Sequence, residues 1–322
     1  MKLSIVSPVY QAEEIVDELI QRVVSSISKI TSDFEIILVE DGSPDKSWER
    51  IYKNCKKDKR VKGIKFSRNF GQHCAITAGL KYATGDYVVV IDCDLQDNPK
   101  DIPLLLNKAQ EGCEIVYARK RTRNYGLMKN FFANIFYKSF SIISDYKMDP
   151  TIGSFSVISR KVVNSFLDFK DYRRGYLVTL RWLGYKPAYV DVSHDQRYNG
   201  KSSYSLKKLL KLAEIIAVSY SDKLLRMSIY LGILFSSTAI LGILYLIYRY
   251  IFTGVKEGWT SVMVTMILVG GFIMVSLGIL GLYIGQIFEQ VKNRPLFIIQ
   301  DSLNCEEMEK FIEIKDPCLQ KI

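Results

Sequence analysis

The chain has 322 residues, 48% of them hydrophobic, and a formal net charge of +10. Two histidines exclude a histidine-rich metal site, and six cysteines without a C-x-x-C pair fit a reducing compartment rather than a zinc or disulfide framework. The basic balance would suit nucleic acid, but two long charge-free runs near the C-terminus make an anionic membrane surface the simpler partner, and no nucleic-acid partner is expected.

Over the first 120 residues strand and helix patterns alternate. "KLSIVSPVY" reads as a buried strand, and Ile15, Leu19, Val23, Ile27 and Ile30 then recur on one helical face. "FEIILVEDGSPD" is a second strand ending in an acidic turn, and "VKGIKFS" is a third. A helix near Gln72 to Ala83 leads through the breaker "TGD" into "YVVVIDCD". Pro99 suits the first turn of the next helix, and "EIVYARK" supplies a fifth strand. Short strands alternating with helices predict an α/β domain, a mostly parallel sheet with helices on both faces. In such sheets ligands bind beyond the carboxyl ends of the strands, where Pro8 to Glu13, Glu40 to Asp45 and Asp92 to Asp97 converge.

In "VVVIDCDLQD" the carboxylates Asp92, Asp94 and Asp97 fall within six positions. If the segment stays extended, Asp92 and Asp94 share one side and Cys93 takes the other. Two carboxylates at a strand end suit Mg²⁺ or Mn²⁺, which keep waters and share substrate phosphates; the bland alternative is a solvated acidic turn. Cys93 reads as a packed small residue, because hard cations prefer oxygen. The sequence has neither G-x-x-x-x-G-K-[ST] nor G-x-G-x-x-G. A bound diphosphate would therefore be met by a metal and basic side chains.

Past Arg119 the alternation weakens into the basic loop "RKRTRNYG" and an aromatic-rich helical stretch from about Met128 to Ser144. "DPTIGSFSVISR" reads as a turn and short strand, and "YKPAYVDVSHDQRYNGKSSYS" as a strand feeding a second basic loop. Residues 205–226 carry an apolar stripe of Leu206, Leu209, Leu210, Ala213, Ile216 and Ala217. That helix could lie in the membrane interface or pack on the preceding domain. Ile229 to Tyr248 and Trp259 to Phe288 then run for 20 and 30 residues without Asp, Glu, Lys or Arg. At about 1.5 Å per residue the shorter run covers the ~30 Å of a bilayer core, so residues 227–290 are expected to hold two spans. The N-terminal "MKLSIVSPVYQAEEIV" is too short and polar-interrupted in its apolar stretch to read as a signal peptide. Arg226 before the spans, with Lys292 and Arg294 after them, places residues 1–204 and the tail 291–322 on the cytoplasmic side of the plasma membrane. Arg249 and Lys256 between the spans make that bias mild.

"VSPVYQAEE", "VEDGSPD", "FSRNFGQHCAITAGLKYATGD" and "DCDLQD" together resemble the family 2 glycosyltransferases of GT-A fold. "YARKRTR", "GSFSVISR" and "RYNGKSSYS", followed by two spans, resemble more narrowly the polyprenyl-phosphate glycosyltransferases and dolichol-phosphate mannose synthases. The resemblance implies transfer of a sugar from a nucleotide-sugar donor to polyprenyl (undecaprenyl) phosphate, and a homo-oligomer assembled through the membrane helices. It implies that Pro8, Tyr10, Glu13 and Asp41 hold the nucleotide, with Glu40 standing where Asp is commoner. Asp94 is then the direct metal ligand, with Asp92 nearer the ribose or sugar and Gln96 in the same pocket. Asp97 is expected to support this pair or to cap the following helix.

Arg119, Arg121 and Arg123 on one side, and Arg197 and Lys201 on the other, would receive the lipid phosphate, with Ser203 and Tyr204 donating further hydrogen bonds. His194 is expected to be structural or a hydrogen-bond donor. Ser154 occupies the position where many relatives carry an acid proposed as the catalytic base. A hydroxyl acceptor needs a base, whereas a phosphomonoester, with a second pKa of about 6, is already largely dianionic at pH 7. Ser154 therefore favours a phosphate nucleophile; Asp149 or Asp195 could otherwise substitute as base. Transfer to a glycan hydroxyl and a non-catalytic scaffold are the competing expectations.

Overall fold

The computed structural model describes residues 1–120, 149, 151–169, 171, 175–192, 223–253 and 258–305. Its first unit begins with β1 (Leu3–Val9), α1 (Val16–Ile27), β2 (Phe34–Glu40), α2 (Ser47–Lys57), β3 (Val61–Phe66), α3 (Gln72–Tyr82) and β4 (Tyr87–Val90). A short 3₁₀ turn (Pro99–Asp101) leads into α4 (Ile102–Gln110) and β5 (Ile115–Lys120). β6 (Ile152–Ser159), α5 (Arg160–Asp168), α6 (Tyr176–Trp182) and β7 (Pro187–Val192) come next among the described residues. The eight-stranded sheet has the order β7-β5-β6-β4-β1-β2-β3-β8, where β8 is Ile299–Leu303.

The sheet is mixed, though six of its strands share one direction. Parallel ladders join β1 to β2 and β4, β2 to β3, and β5 to β7, while β6 and β8 run against their neighbours. β1 and β2 are buried at every position, which explains why their sequences are apolar runs without alternation. On one face α1, α2 and α4 pack against Leu3, Ile5, Ile36, Leu38, Val89 and Val116. On the other, α3, α5 and α6 pack against Val6, Ile37, Val39, Ile64, Val90 and Tyr117. The contact of α3 with β1 is so close that a Cβ on Gly79 would lie 2.2 Å from Val6 Cγ1.

β8 is a strand that the sequence reading did not assign within residues 291–322. It pairs antiparallel with β3, and Asn304 donates to the carbonyls of Cys55 and Val61 at 2.8 Å each. Of the stretch 205–226, only Lys223 to Arg226 falls within the described residues, as the start of the next helix.

The second unit contains α7 (Lys223–Thr253) and α8 (Trp259–Val291). Within them, Leu225–Arg249 and Leu268–Val291 are long and apolar enough to cross a membrane, and neither is buried in the protein. The two helices touch through Phe235 and Phe272, whose rings are 4.8 Å apart.

At the sheet end remote from the acidic loops, Glu35 is almost wholly buried. It accepts from Ser4 Oγ at 2.6 Å and Thr84 N at 2.7 Å, and pairs with Lys62 at 2.8 Å. Burial alone would raise its pKa, but the bonds from Lys62, Ser4 and Thr84 outweigh it and hold the carboxyl below its ordinary 4.5. A depressed folded-state pKa contributes stability above the unfolded value and loses it as pH falls through the folded one. Glu35→Gln should therefore cost about 1–3 kcal/mol at neutral pH. The difference in melting temperature from wild type should shrink progressively below pH 4.5.

Candidate active site

Parallel strands deliver their carboxyl ends to one edge, and the loops after β1 to β4 are bonded to one another there. From the first loop, Gln11 N donates to Ser43 Oγ at 2.9 Å, Ala12 N to Ser47 Oγ at 3.0 Å and Glu13 N to Asp45 at 3.1 Å. In return Lys46 N donates to Glu13 at 3.2 Å, and Ser43 N donates to Glu40. Pro8 is buried in β1, and Tyr10 is exposed just beyond it.

Asp41 links the second loop to the third. It is buried, and its carboxylate accepts from Phe70 N at 2.7 Å and Gly71 N at 2.9 Å, while Asn69 Nδ2 donates to its carbonyl at 3.0 Å. Burial, reinforced by the Glu40 charge, raises its pKa against the pull of those amides. The next residue is Gly42 at φ +62°, where a Cβ would come within 2.4 Å of the Arg68–Asn69 backbone. Only glycine fits this crossing.

The acidic loop follows β4. Strand geometry ends at Val90, so Asp92 and Asp94 lie in the turn beyond it and not on one side of an extended strand. Leu95 adopts φ +57° with its side chain in the core, so burial holds a conformation that costs roughly 1 kcal/mol. Both Asp92 and Asp94 are half-buried. Cys93 packs against the core as expected, and burial pushes its thiol up to about 12. The helix cap is Asn98, which accepts from Lys100 N at 3.1 Å. Asp97 is instead buried and ion-paired with Lys120 at 3.0 Å.

Asp92 sits at the centre of this charge. Its Oδ1 accepts from Gln72 Nε2 at 2.7 Å. Burial first, then the Asp97 and Asp94 carboxylates, push its carboxyl up to about 6; the Ser154 hydroxyl and Lys120 ammonium oppose that. Ser154 Oγ is sequestered from solvent beside Asp92 with no hydrogen bond of good geometry. Negative charge in excess and hard oxygen donors fit a divalent cation. Among the described residues no group of three or more His, Cys, Asp or Glu side chains could hold a metal alone. The pair Asp92 and Asp94 would share the ion with substrate oxygens.

The structure commits other residues elsewhere. Arg119 is turned to solvent, held by Asp191 at 2.6 Å across the β5–β7 ladder, so a phosphate would have to displace that carboxylate. Asp149 accepts from Thr151 N at 2.9 Å and is exposed, which makes it a turn-stabilising side chain. Gln96 is half-buried in the acidic loop and its backbone N–H donates to Asp94 Oδ1 at 3.2 Å. Arg121, Arg123, His194, Asp195, Arg197, Lys201, Ser203 and Tyr204 lie outside the described residues.

Lys120 and Gln72 are site residues that the sequence reading passed over. Strand alternation implies that one of Arg119 and Lys120 turns inward, without saying which. Gln72 stands at the start of α3, aimed back at the strand ends.

An α/β sheet with linked acidic loops at its carboxyl edge is the architecture of a nucleotide-sugar transferase of GT-A type. The chain belongs to glycosyl transferase family 2, whose family model matches residues 4–167. It is 37% identical to the uncharacterized glycosyltransferase YkcC of Bacillus subtilis, over 95% of each chain. It is 34% identical to the bactoprenol glucosyl transferase of Shigella phage SfII, over 94% of this chain and 98% of that one. Among solved structures, glucosyl-3-phosphoglycerate synthase from Mycobacterium tuberculosis, bound to Mn²⁺ and UDP, is 19% identical with a TM-score of 0.48, covering 67% of this chain and 77% of that one. The protein is a glycosyltransferase that moves a sugar from a nucleotide-sugar donor.

Lys120→Met should destabilise the protein by about 3 kcal/mol in a denaturant melt, because Asp97 is left buried without its partner. Arg119→Met should leave the midpoint near that of wild type, because exposed ion pairs contribute little.

Proposed function

We propose that the protein transfers a sugar, with inversion, from a nucleotide-sugar donor to polyprenyl phosphate at the cytoplasmic membrane face. The observation that carries the reading is Asp92, held half-buried among like charges at the strand ends in a chain that also has two exposed apolar helices. The bactoprenol named in a 34% identical relative supports the polyprenyl acceptor.

In this reading Asp92 and Asp94 hold Mg²⁺ or Mn²⁺, which when bound supplies Lewis-acid neutralisation of the leaving diphosphate. Gln72 fixes the Asp92 carboxylate, and Lys120 offsets the third acid, Asp97. The linked loops around Asp41, with Pro8, Tyr10 and Glu13, form the wall for the nucleotide. The lipid phosphate oxygen attacks the anomeric carbon as its bond to the diphosphate breaks, and the nucleoside diphosphate leaves. Arg119, Arg123, Arg197, Ser203 and Tyr204 are the proposed contacts for the phosphates. Ser154 supplies no base, and a dianionic phosphate requires none.

Charge and connectivity support the cytoplasmic side. Arg226, Lys292 and Arg294 flank the helix pair, and after α8 the chain re-enters the first unit's own sheet as β8. Basic residues at both outer ends of the pair support a cytoplasmic location for the residues that flank it, by the positive-inside rule.

Asp94→Ala should abolish transfer of radiolabelled sugar to undecaprenyl phosphate while the protein still inserts into membranes. A mild-acid-labile product supports the phosphate acceptor. Near-normal turnover by the variant would sink the metal-site assignment, and an acid-stable product would point to a glycan hydroxyl.

A further inference from the structure

The segment that follows the second apolar helix reaches the nucleotide wall. Phe297, half-buried, stacks on Phe66 at the end of β3 with ring centroids 5.1 Å apart and planes at 13°. Phe66 in turn meets Phe70 edge-on at 5.6 Å, and the Arg68 guanidinium lies 4.3 Å over the Phe70 ring. Ser67 N donates to the Ile298 carbonyl at 3.0 Å. Between these contacts runs the loop whose Phe70 and Gly71 amides hold the Asp41 carboxylate. The same loop passes under Gly42 and delivers Gln72 to Asp92. Ser67, Arg68 and Asn69 are themselves exposed; Asn69 and the amides hold the loop to Asp41, and this ladder of rings with one backbone bond ties it to the segment after α8.

We infer that Phe297 is a positioning residue for the donor pocket: the stretch directly after α8 fixes loop 67–71, and thereby Asp41 and Gln72, for the sugar nucleotide. The inference rests on the reading above that the Asp41 loops face the nucleotide. It makes donor binding depend on a residue nearly 300 positions along the chain, on the far side of the membrane helices in sequence. The segment before the spans and the segment after them thus meet at one site. An aromatic contact contributes about 0.5–1.5 kcal/mol beyond its buried area, so its loss should weaken nucleotide binding roughly 3- to 10-fold.

The test uses full-length protein in detergent or nanodiscs, with UDP and GDP as probes in the presence of Mn²⁺. Phe297→Ala should raise amide exchange in loop 67–71 and weaken binding of the nucleotide that wild type prefers. It should raise KM for the corresponding sugar donor by a similar factor and leave kcat within about twofold. Phe297→Tyr, which keeps the stack, should behave as wild type. Asn304→Ala is the control: it frees the remote end of β8 and should lower the melting temperature without changing nucleotide affinity. Equal nucleotide binding by wild type and Phe297→Ala overturns the inference. So does a loss of affinity in Asn304→Ala as large as that in Phe297→Ala, which would mark general destabilisation. A wild type that binds neither UDP nor GDP overturns the reading of the pocket itself.

Discussion

Carboxylates crowded at the end of β4 repel one another, and the acidic edge is organised around that repulsion. Asp97 is neutralised from within by Lys120, in a buried ion pair whose breaking would leave the other charge uncompensated. Asp92 is not neutralised: burial and its neighbours raise its carboxyl to about 6, which marks charge held against its preference. Excess negative charge on hard oxygen donors suits a divalent cation. Lys120 thus offsets Asp97 and leaves Asp92 and Asp94 as the acids proposed to hold the metal.

The scaffold that tolerates this charge is the pair of fully buried central strands, β1 and β2. Their parallel register brings Val9 level with Glu40 and so sets the loops after them side by side. Backbone amides then tie loop to loop through Glu13, Asp45, Ser43 and Asp41. Several acids that a family pattern would assign to ligand contact are also structural acceptors. Asp41 accepts from two backbone amides, so its carboxylate holds the third loop to the second.

The helix pair is chemically different: apolar, unburied and tied to the first unit at both ends of its sequence. The return of the chain as β8 covers the edge of β3, which would otherwise present an unpaired strand. It also puts Phe297 beside Phe66, so the cover on β3 and the ring contact at its end come from one stretch of seven residues, 297–303.

Local pattern was sufficient for much of this. Apolar runs located β1 to β5, the breakers around Gly85 and Pro99 located their limits, and charge-free length located the two apolar helices, because each signal is carried by neighbours in sequence. The order of motifs identified the family, as the match over residues 4–167 bears out. Tertiary structure alone decided what depends on distant pairing. A strand pattern does not say which of two adjacent basic residues turns inward, and it was Lys120 that met Asp97 while Arg119 went to Asp191. The five residues of β8 are too few and too polar to signal a strand until β3 supplies their hydrogen bonds. Gln72 and Phe297 acquire their roles only when loops far apart in sequence are brought to one edge, and that closure is a property of the sheet order and not of any single segment.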